Sequence, residues 1–135
     1  MTADEPKTAR MSKPPKTIGI VEDDPSMLRA TEALLDANGF STVGFSSAED
    51  FLARGAASHF DCLVLDIHLG GLSGIELHDQ LKAAGRGCPV IFVTALESED
   101  VRRQALQSGC VACLRKPVPA GKLVEAIVQA GALKH

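Results

Sequence analysis

The chain has 135 residues, a net charge of −3 and 45% hydrophobic residues, which fits one globular domain rather than a disordered segment. It has five phenylalanines but no tryptophan or tyrosine. An acidic chain of this composition lacks the basic surface and the aromatic platform of a nucleic-acid binder, so we expect no direct contact with nucleic acid.

The N-terminal part differs from the rest of the chain. Residues 1–16 contain three prolines and scattered charges without periodicity, which predicts a flexible tail before a folded domain at 17–135. The chain shows no apolar run of roughly 18 residues, which a membrane span needs, and no apolar stretch typical of a secretory signal. We therefore expect no membrane segment and a cytoplasmic protein with reduced cysteines.

Five short apolar runs alternate with five helical patterns after the tail. The predicted strands are 17–21, 41–45, 60–66, 89–94 and 110–115. The predicted helices are 25–38, 48–55, 75–85, 97–108 and 119–133. Because the strands are almost continuously apolar and helices separate them, we predict an α/β fold with a doubly wound, five-stranded parallel sheet.

Polar side chains lie at the carboxyl ends of four of these strands, either as the last residue of the strand or directly after it. They are Glu22, Asp23 and Asp24 after the first strand, Asp66 at the end of the third, Thr94 at the end of the fourth and Lys116 after the fifth. The carboxyl ends of parallel strands share one edge of the sheet, where such folds bind their ligands. A solvated loop explains any one of these residues, but it does not explain convergent positions with complementary charge.

This set of side chains suits phosphoryl transfer. Grouped carboxylates repel one another and need a cation, and oxygen ligands favour Mg²⁺. A lysine and a threonine hydroxyl can contact the oxygens of a phosphoryl group. The GGLSG loop at 70–74 lacks the Lys-Ser/Thr of a nucleotide-binding loop, so a carboxylate nucleophile is the better interpretation. Asp66 is the candidate because it stands alone on its strand.

Four motifs carry a resemblance to a known family. They are VEDDP at 21–25, LVLDIHLGGLSGIEL at 63–77, VTA at 93–95 and LRKP at 114–117. Over 17–133 the chain resembles the receiver domain of bacterial two-component response regulators, which implies the CheY-like (βα)₅ fold. The stretches FSSAEDFLA and GCVACLRKP look most like receivers that precede LuxR-type DNA-binding domains.

The resemblance implies an acceptor and a metal site. Asp66 would take a phosphoryl group from a phosphohistidine of a sensor histidine kinase or a phosphotransfer protein. Mg²⁺ would be held by Asp23, by Asp66, by the backbone carbonyl of His68, and by Glu22 through water.

It also implies a phosphate-binding and switch set. Thr94, Ala95 and Lys116 would contact the phosphate, and the peptide bond before Pro117 would be cis. The switch position three residues before the lysine is normally Tyr or Phe, but here it is Cys113. Two further departures are Gly70, where the family usually has proline, and Val118, where it usually has phenylalanine. The acceptor chemistry is unaffected, whereas the route by which the signal leaves the domain is in question.

Several other residues have simpler interpretations. Cys110 and Cys113 fall within a predicted strand, where residues three apart point to opposite faces, so we expect neither a disulfide nor a redox role. No second close cysteine pair exists for a zinc site. Asp24 is expected to serve the helix start rather than the metal. His68 either controls water access to Asp66 or is a solvent-exposed loop residue.

The remaining histidines and structural cysteines are expected to have no functional role. We expect His59, His78 and His135 to be surface or helix residues, and Cys62 and Cys88 to be small core residues at strand starts.

We therefore predict a single-domain receiver that is not an enzyme but a phosphoacceptor in a phosphorelay. Phosphorylation would reshape a protein-binding face formed by the fourth helix, fifth strand and fifth helix, in a monomer or a phosphorylation-dependent dimer. One alternative is an interaction module that works without phosphorylation, and another is the regulatory half of a truncated LuxR-type transcription factor. A haloacid-dehalogenase-type hydrolase is less consistent, because its nucleophile belongs on the first strand.

Overall fold

The computed structural model describes residues 15–55, 57–95 and 98–133, so almost all of the predicted tail at 1–16 lies outside the described residues. The strands are β1 Thr17–Val21, β2 Ser41–Phe45, β3 Cys62–Asp66, β4 Val90–Thr94 and β5 Ala112–Arg115. The helices are α1 Pro25–Ala37, α2 Ala48–Arg54, α3 Gly74–Ala83, α4 Glu99–Gln107 and α5 Ala120–Leu133.

The strands form one parallel sheet in the order β2-β1-β3-β4-β5. The predicted doubly wound, five-stranded α/β fold is therefore confirmed. The order reverses between β1 and β3, and a crevice opens at such a point beyond the carboxyl ends of the strands. The fold thus places the ends of β1 and β3 side by side.

Alternating residues of the central strands enter two separate cores. In β4, Val90 and Phe92 join one cluster of buried residues, while Ile91 and Val93 join the other. Helices α2, α3 and α4 cover the first core, and α1 and α5 cover the second. Both faces of the sheet are buried, and this explains why the strand sequences are almost continuously apolar.

Side chains at the helix starts fix where the connecting loops end. Asp24 caps α1 and accepts the backbone N–H groups of Ser26 and Met27, so it serves the helix start as predicted. Ser47 caps α2, and Ser73 caps α3 in a reciprocal pair with Glu76. Such caps satisfy N–H groups that have no partner within the helix.

One sequence-based prediction is wrong. Strand β5 begins at Ala112, so Cys110 precedes it, and Cys110 and Cys113 both pack against the first core rather than on opposite faces. Both are free thiols, as are Cys62 and Cys88.

His78 lies in α3, one of the two placements predicted for it, and it is buried because α3 packs it against Phe92 and Ser108. His59 is largely exposed, and His135 lies outside the described residues. None of the helices in the described ranges is long and apolar enough to cross a membrane.

Candidate functional site

Three charged side chains meet at the carboxyl edge of the sheet. Val21 is level with Leu65 in the strand register, so the next residues along, Glu22 and Asp66, lie side by side. Lys116 follows β5 and reaches across the end of β4. Its Nζ lies 2.9 Å from Glu22 Oε1 and 3.0 Å from Asp66 Oδ2.

The lysine bridges two buried carboxylates. The side chains of Glu22 and Asp66 are each 6% exposed, and that of Lys116 is 18% exposed. Burial, the largest single influence, lowers the pKa of Lys116, but the hydrogen bonds and charges of Glu22 and Asp66 outweigh it and the pKa is raised. The ammonium is therefore held in its charged form and offsets the repulsion between the two acids.

A third carboxylate completes an oxygen cluster. Carboxylate oxygens of Glu22, Asp23 and Asp66 all lie within 4.8 Å of one another, and Asp23 is exposed. Glu22 Oε2 also accepts the backbone N–H of Asp24, at 3.2 Å. An all-oxygen set with one side open to water fits a hard cation such as Mg²⁺ better than zinc or copper.

The loop after β3 begins directly beside the acceptor candidate. Asp66 Oδ1 accepts the backbone N–H of His68 at 3.1 Å. The N–H of Ile67 is bonded to the carbonyl of Val93, so the loop leaves the sheet at a defined point. The His68 side chain is exposed.

The ends of β4 and β5 supply the remaining predicted residues. Thr94 is buried at the end of β4, and its carbonyl accepts the backbone N–H of Lys116 at 2.8 Å. Ala95 follows it and is exposed. The peptide bond between Lys116 and Pro117 is cis. The structure thus brings Asp66, Glu22 and Lys116 into direct contact and places Thr94 on the adjacent strand end.

A cleft lies beside the predicted switch position. It has a volume of about 450 Å³, and its walls include Thr94, Ser98, Arg102 and Cys113. Burial raises the pKa of the Cys113 thiol, and the charge of Arg102 opposes this.

Two long-range polar contacts were missed by the sequence reasoning, one beside the site and one at the opposite edge of the sheet. Glu49 in α2 accepts the backbone N–H of Leu72 at 2.8 Å, and so connects α2 to the loop after β3. Lys82 in α3 donates to the carbonyl of Ser108 at the end of α4. No sequence signal identifies either contact, because the partners are 23 and 26 residues apart and no local pattern pairs them.

Comparison with known proteins gives a family match. The family model of the response regulator receiver domain matches residues 18–128. A solved receiver domain protein from Methanospirillum hungatei JF-1, described as CheY-like, superimposes with a TM-score of 0.82 at 28% identity, covering 88% of this chain and 95% of that one.

Two curated relatives differ in how much of their own length this chain covers. The chain is 35% identical over 111 residues to nodulation protein W of Bradyrhizobium diazoefficiens, covering 82% of this chain and 49% of that protein. It is 32% identical over 114 residues to the polar-differentiation response regulator DivK of Brucella ovis, covering 83% and 93%. The chain thus spans about half the length of several curated relatives and nearly all of another.

Proposed function

The chain belongs to the response regulator receiver domain family of two-component phosphorelay signalling, and from that premise we propose that Asp66 is its phosphoacceptor. The observation that carries the proposal is the Lys116 ammonium, 3.0 Å from the Asp66 carboxylate at the crevice of the sheet. Asp66 ends a buried strand, so its position is fixed before any donor arrives.

The proposed reaction moves one phosphoryl group. An Asp66 carboxylate oxygen attacks the phosphorus of a phosphohistidine, a new O–P bond forms, and the N–P bond to the imidazole breaks. The imidazole leaves and takes up a proton from solvent. Hydrolysis later adds water across the O–P bond, which returns the Asp66 carboxylate and inorganic phosphate. The family's donors are histidine kinases and phosphotransfer proteins, and we propose the same class for this chain.

Asp23, Asp66 and the backbone carbonyl of His68 would hold Mg²⁺ directly, and Glu22 would hold it through water. The ion, when bound, supplies positive charge to the oxygens of the transferring group. The donor set supports this assignment, because its described side chains offer carboxylate oxygens within 4.8 Å of one another.

Lys116 and Thr94 would then bind the new phosphate group. Lys116 would exchange one carboxylate contact for a phosphate oxygen, and the Thr94 hydroxyl and the Ala95 backbone would contact the other oxygens. The movement would alter the face of α4, β5 and α5, where Leu106 is half exposed. With Cys113 in place of an aromatic ring, the change would pass through the backbone of the β4–α4 connection. That face would bind a protein partner.

The experiment is intact-mass measurement after incubation with acetyl phosphate, with MgCl₂ or with EDTA. We expect the wild-type chain to gain one phosphoryl group only when Mg²⁺ is present. Asp66→Asn should gain none, whereas Asp79→Asn, which changes an exposed aspartate on α3, should behave like the wild type.

The opposite result has a clear meaning. A folded wild-type chain that gains no phosphoryl group with Mg²⁺ present would refute the phosphoacceptor proposal. It would favour an interaction module that works without phosphorylation, and a search for binding partners of the α4–β5–α5 face would follow. Modification that persists in Asp66→Asn would show that the acceptor is a different residue.

A further inference from the structure

We propose that Glu49 is a positioning residue for the cation site, although it lies on a different element and touches none of the ligands. Its carboxylate holds the loop formed by residues 67–73, and that loop carries the His68 carbonyl assigned to the metal. The inference therefore rests on the proposed function.

The first part of the argument is the contact itself. Glu49 Oε2 accepts the backbone N–H of Leu72 at 2.8 Å, across 23 residues of sequence. This hydrogen bond is the main cause that lowers the pKa of Glu49, so the carboxylate is kept ionised as an acceptor. An ionised acceptor forms a shorter and stronger hydrogen bond than a neutral one.

The second part is that α2 is a fixed support. Ser47 caps its first turn, and Phe51 from the same helix is buried in the first core. The ring of Phe51 lies 4.9 Å from that of Phe45 and 5.7 Å from that of Phe60. A side chain that projects from this helix can therefore restrain the backbone of the neighbouring loop.

The third part concerns the other restraints on the loop: Leu69 and Leu72 are half-buried against the first core, whereas His68, Gly70 and Gly71 are exposed. Its ends are held, because Ile67 is bonded to the sheet and Ser73 begins the capped helix α3. Between them are two glycines, which offer the backbone no side chain to pack. Two hydrogen bonds are described for residues 68–72: the one from His68 goes to Asp66 at the end of the adjoining strand, and the one from Leu72 to Glu49 connects the loop to a helix.

The fourth part is that Glu49 occupies the space where a side chain at position 71 would lie. A Cβ atom added at Gly71 would lie 2.5 Å from Glu49 Oε2, so the carboxylate would have to move away from the Leu72 N–H. A Cβ atom added at the neighbouring Gly70 would meet nothing within 4 Å. Alanine at these two adjacent positions therefore separates loss of the contact from a general stiffening of the loop.

The consequence concerns ion binding rather than the chemical step. With the contact in place, the His68 carbonyl is held close to one position, and the ion does not have to order the loop. Without it, binding must include that ordering, so affinity falls while the fully loaded site is unchanged. Glu49→Ala should raise the dissociation constant for Mg²⁺ by about threefold to tenfold, the range expected for losing one such hydrogen bond.

The test compares the wild type with Glu49→Ala, Gly71→Ala and their double variant. Direct Mg²⁺ titration of ¹⁵N-labelled protein by NMR gives the affinity, and exchange of the Leu72 amide hydrogen reports the contact itself. Acetyl phosphate reactions at varied Mg²⁺ should show a higher half-saturating Mg²⁺ concentration with an unchanged rate at saturation. Gly70→Ala and Glu125→Ala, a loss of an exposed glutamate on α5, serve as matched controls.

The single variants should weaken Mg²⁺ binding to a similar extent, and the double variant should add little, because both remove one contact. Unchanged Mg²⁺ affinity in both variants, with faster Leu72 exchange, would overturn the proposal, as would fully additive effects. If Glu49→Ala does not fold, Gly71→Ala decides the question. A wild-type chain that takes no phosphoryl group would refute the proposed function. The Mg²⁺ titration tests the positioning role of Glu49 separately, because it measures binding of the ion without the chemical step.

Discussion

Replacement of Lys116 by methionine isolates the role of the charge that bridges the two buried acids. Methionine keeps much of the apolar stem of the side chain and removes the ammonium. Glu22 and Asp66, each 6% exposed, then face each other without a cation. We expect the variant to be less stable in the absence of Mg²⁺.

The magnitude follows from the burial of the three groups. Removing one partner of a buried ion pair costs about 3–5 kcal/mol because a charge is left unpaired in a poorly solvated place. Here the exposed Asp23 marks an open side through which water reaches the acids, so we expect about 2–3 kcal/mol. That loss is a large fraction of a domain's stability and corresponds to a fall in Tm of roughly 10 °C.

Mg²⁺ should reverse part of this loss. With the lysine gone, the cluster of three carboxylates is more negative and binds the cation more tightly, so Mg²⁺ stabilises the variant more than the wild type. Urea unfolding followed by circular dichroism, in EDTA and in excess MgCl₂, measures both effects. Lys122→Met, which removes an exposed lysine on α5, is the control and should match the wild type in both conditions.

The same pair of proteins should show a defined dependence on pH. The pKa of Lys116 is raised in the folded state, so its contribution to stability is complete below the ordinary lysine value of 10.5 and is lost as the pH rises through the raised value. The difference between wild type and Lys116→Met should therefore narrow above pH 10.5. Equal stability of the two proteins in EDTA at neutral pH, or a smaller gain from Mg²⁺ in the variant, would refute this reasoning.

Two further predictions concern buried residues of α3. Burial, and then the charge of Lys82, lowers the pKa of His78, so the folded state binds fewer protons than the unfolded one and stability falls as the pH drops below the ordinary value of 6.5. His78→Phe should remove a slope of at most about 1.4 kcal/mol per pH unit just below that value, measured by urea unfolding, whereas His59→Gln should keep it. A Cβ atom at Gly74 would clash with the backbone carbonyl of Asp66, so Gly74→Ala should destabilise the chain by about 1–3 kcal/mol and slow acetyl phosphate uptake. Uptake at the wild-type rate would contradict the second expectation.

Local patterns in the sequence were sufficient for the architecture. The apolar runs and the helix starts at Pro25 and Ser47 predicted the elements to within a few residues, because these signals depend on neighbours along the chain. An acid directly after an apolar run also shows which strand ends carry polar groups. Asp66 is therefore recognisable as a candidate from the amino-acid order alone.

Other features were decided only when the chain folded. Lys116 and Glu22 are 94 residues apart, and their 2.9 Å contact exists because the order of strands brings the ends of β1 and β5 to one crevice. The burial of His78 depends on how α3 packs against β4 and against the residue that follows α4. Cys110 and Cys113 share one core because β5 starts two residues after the first of them.

The contact between Glu49 and Leu72 shows the same limit most directly. Neither residue by itself indicates a contact, because one is an exposed glutamate on a helix and the other is a leucine in a loop. Periodicity and capping are properties of adjacent residues, so the order of amino acids is enough to specify which segments form strands and helices and which polar groups end them. Which distant groups meet depends on strand order and helix packing, because these bring together residues that no local pattern connects.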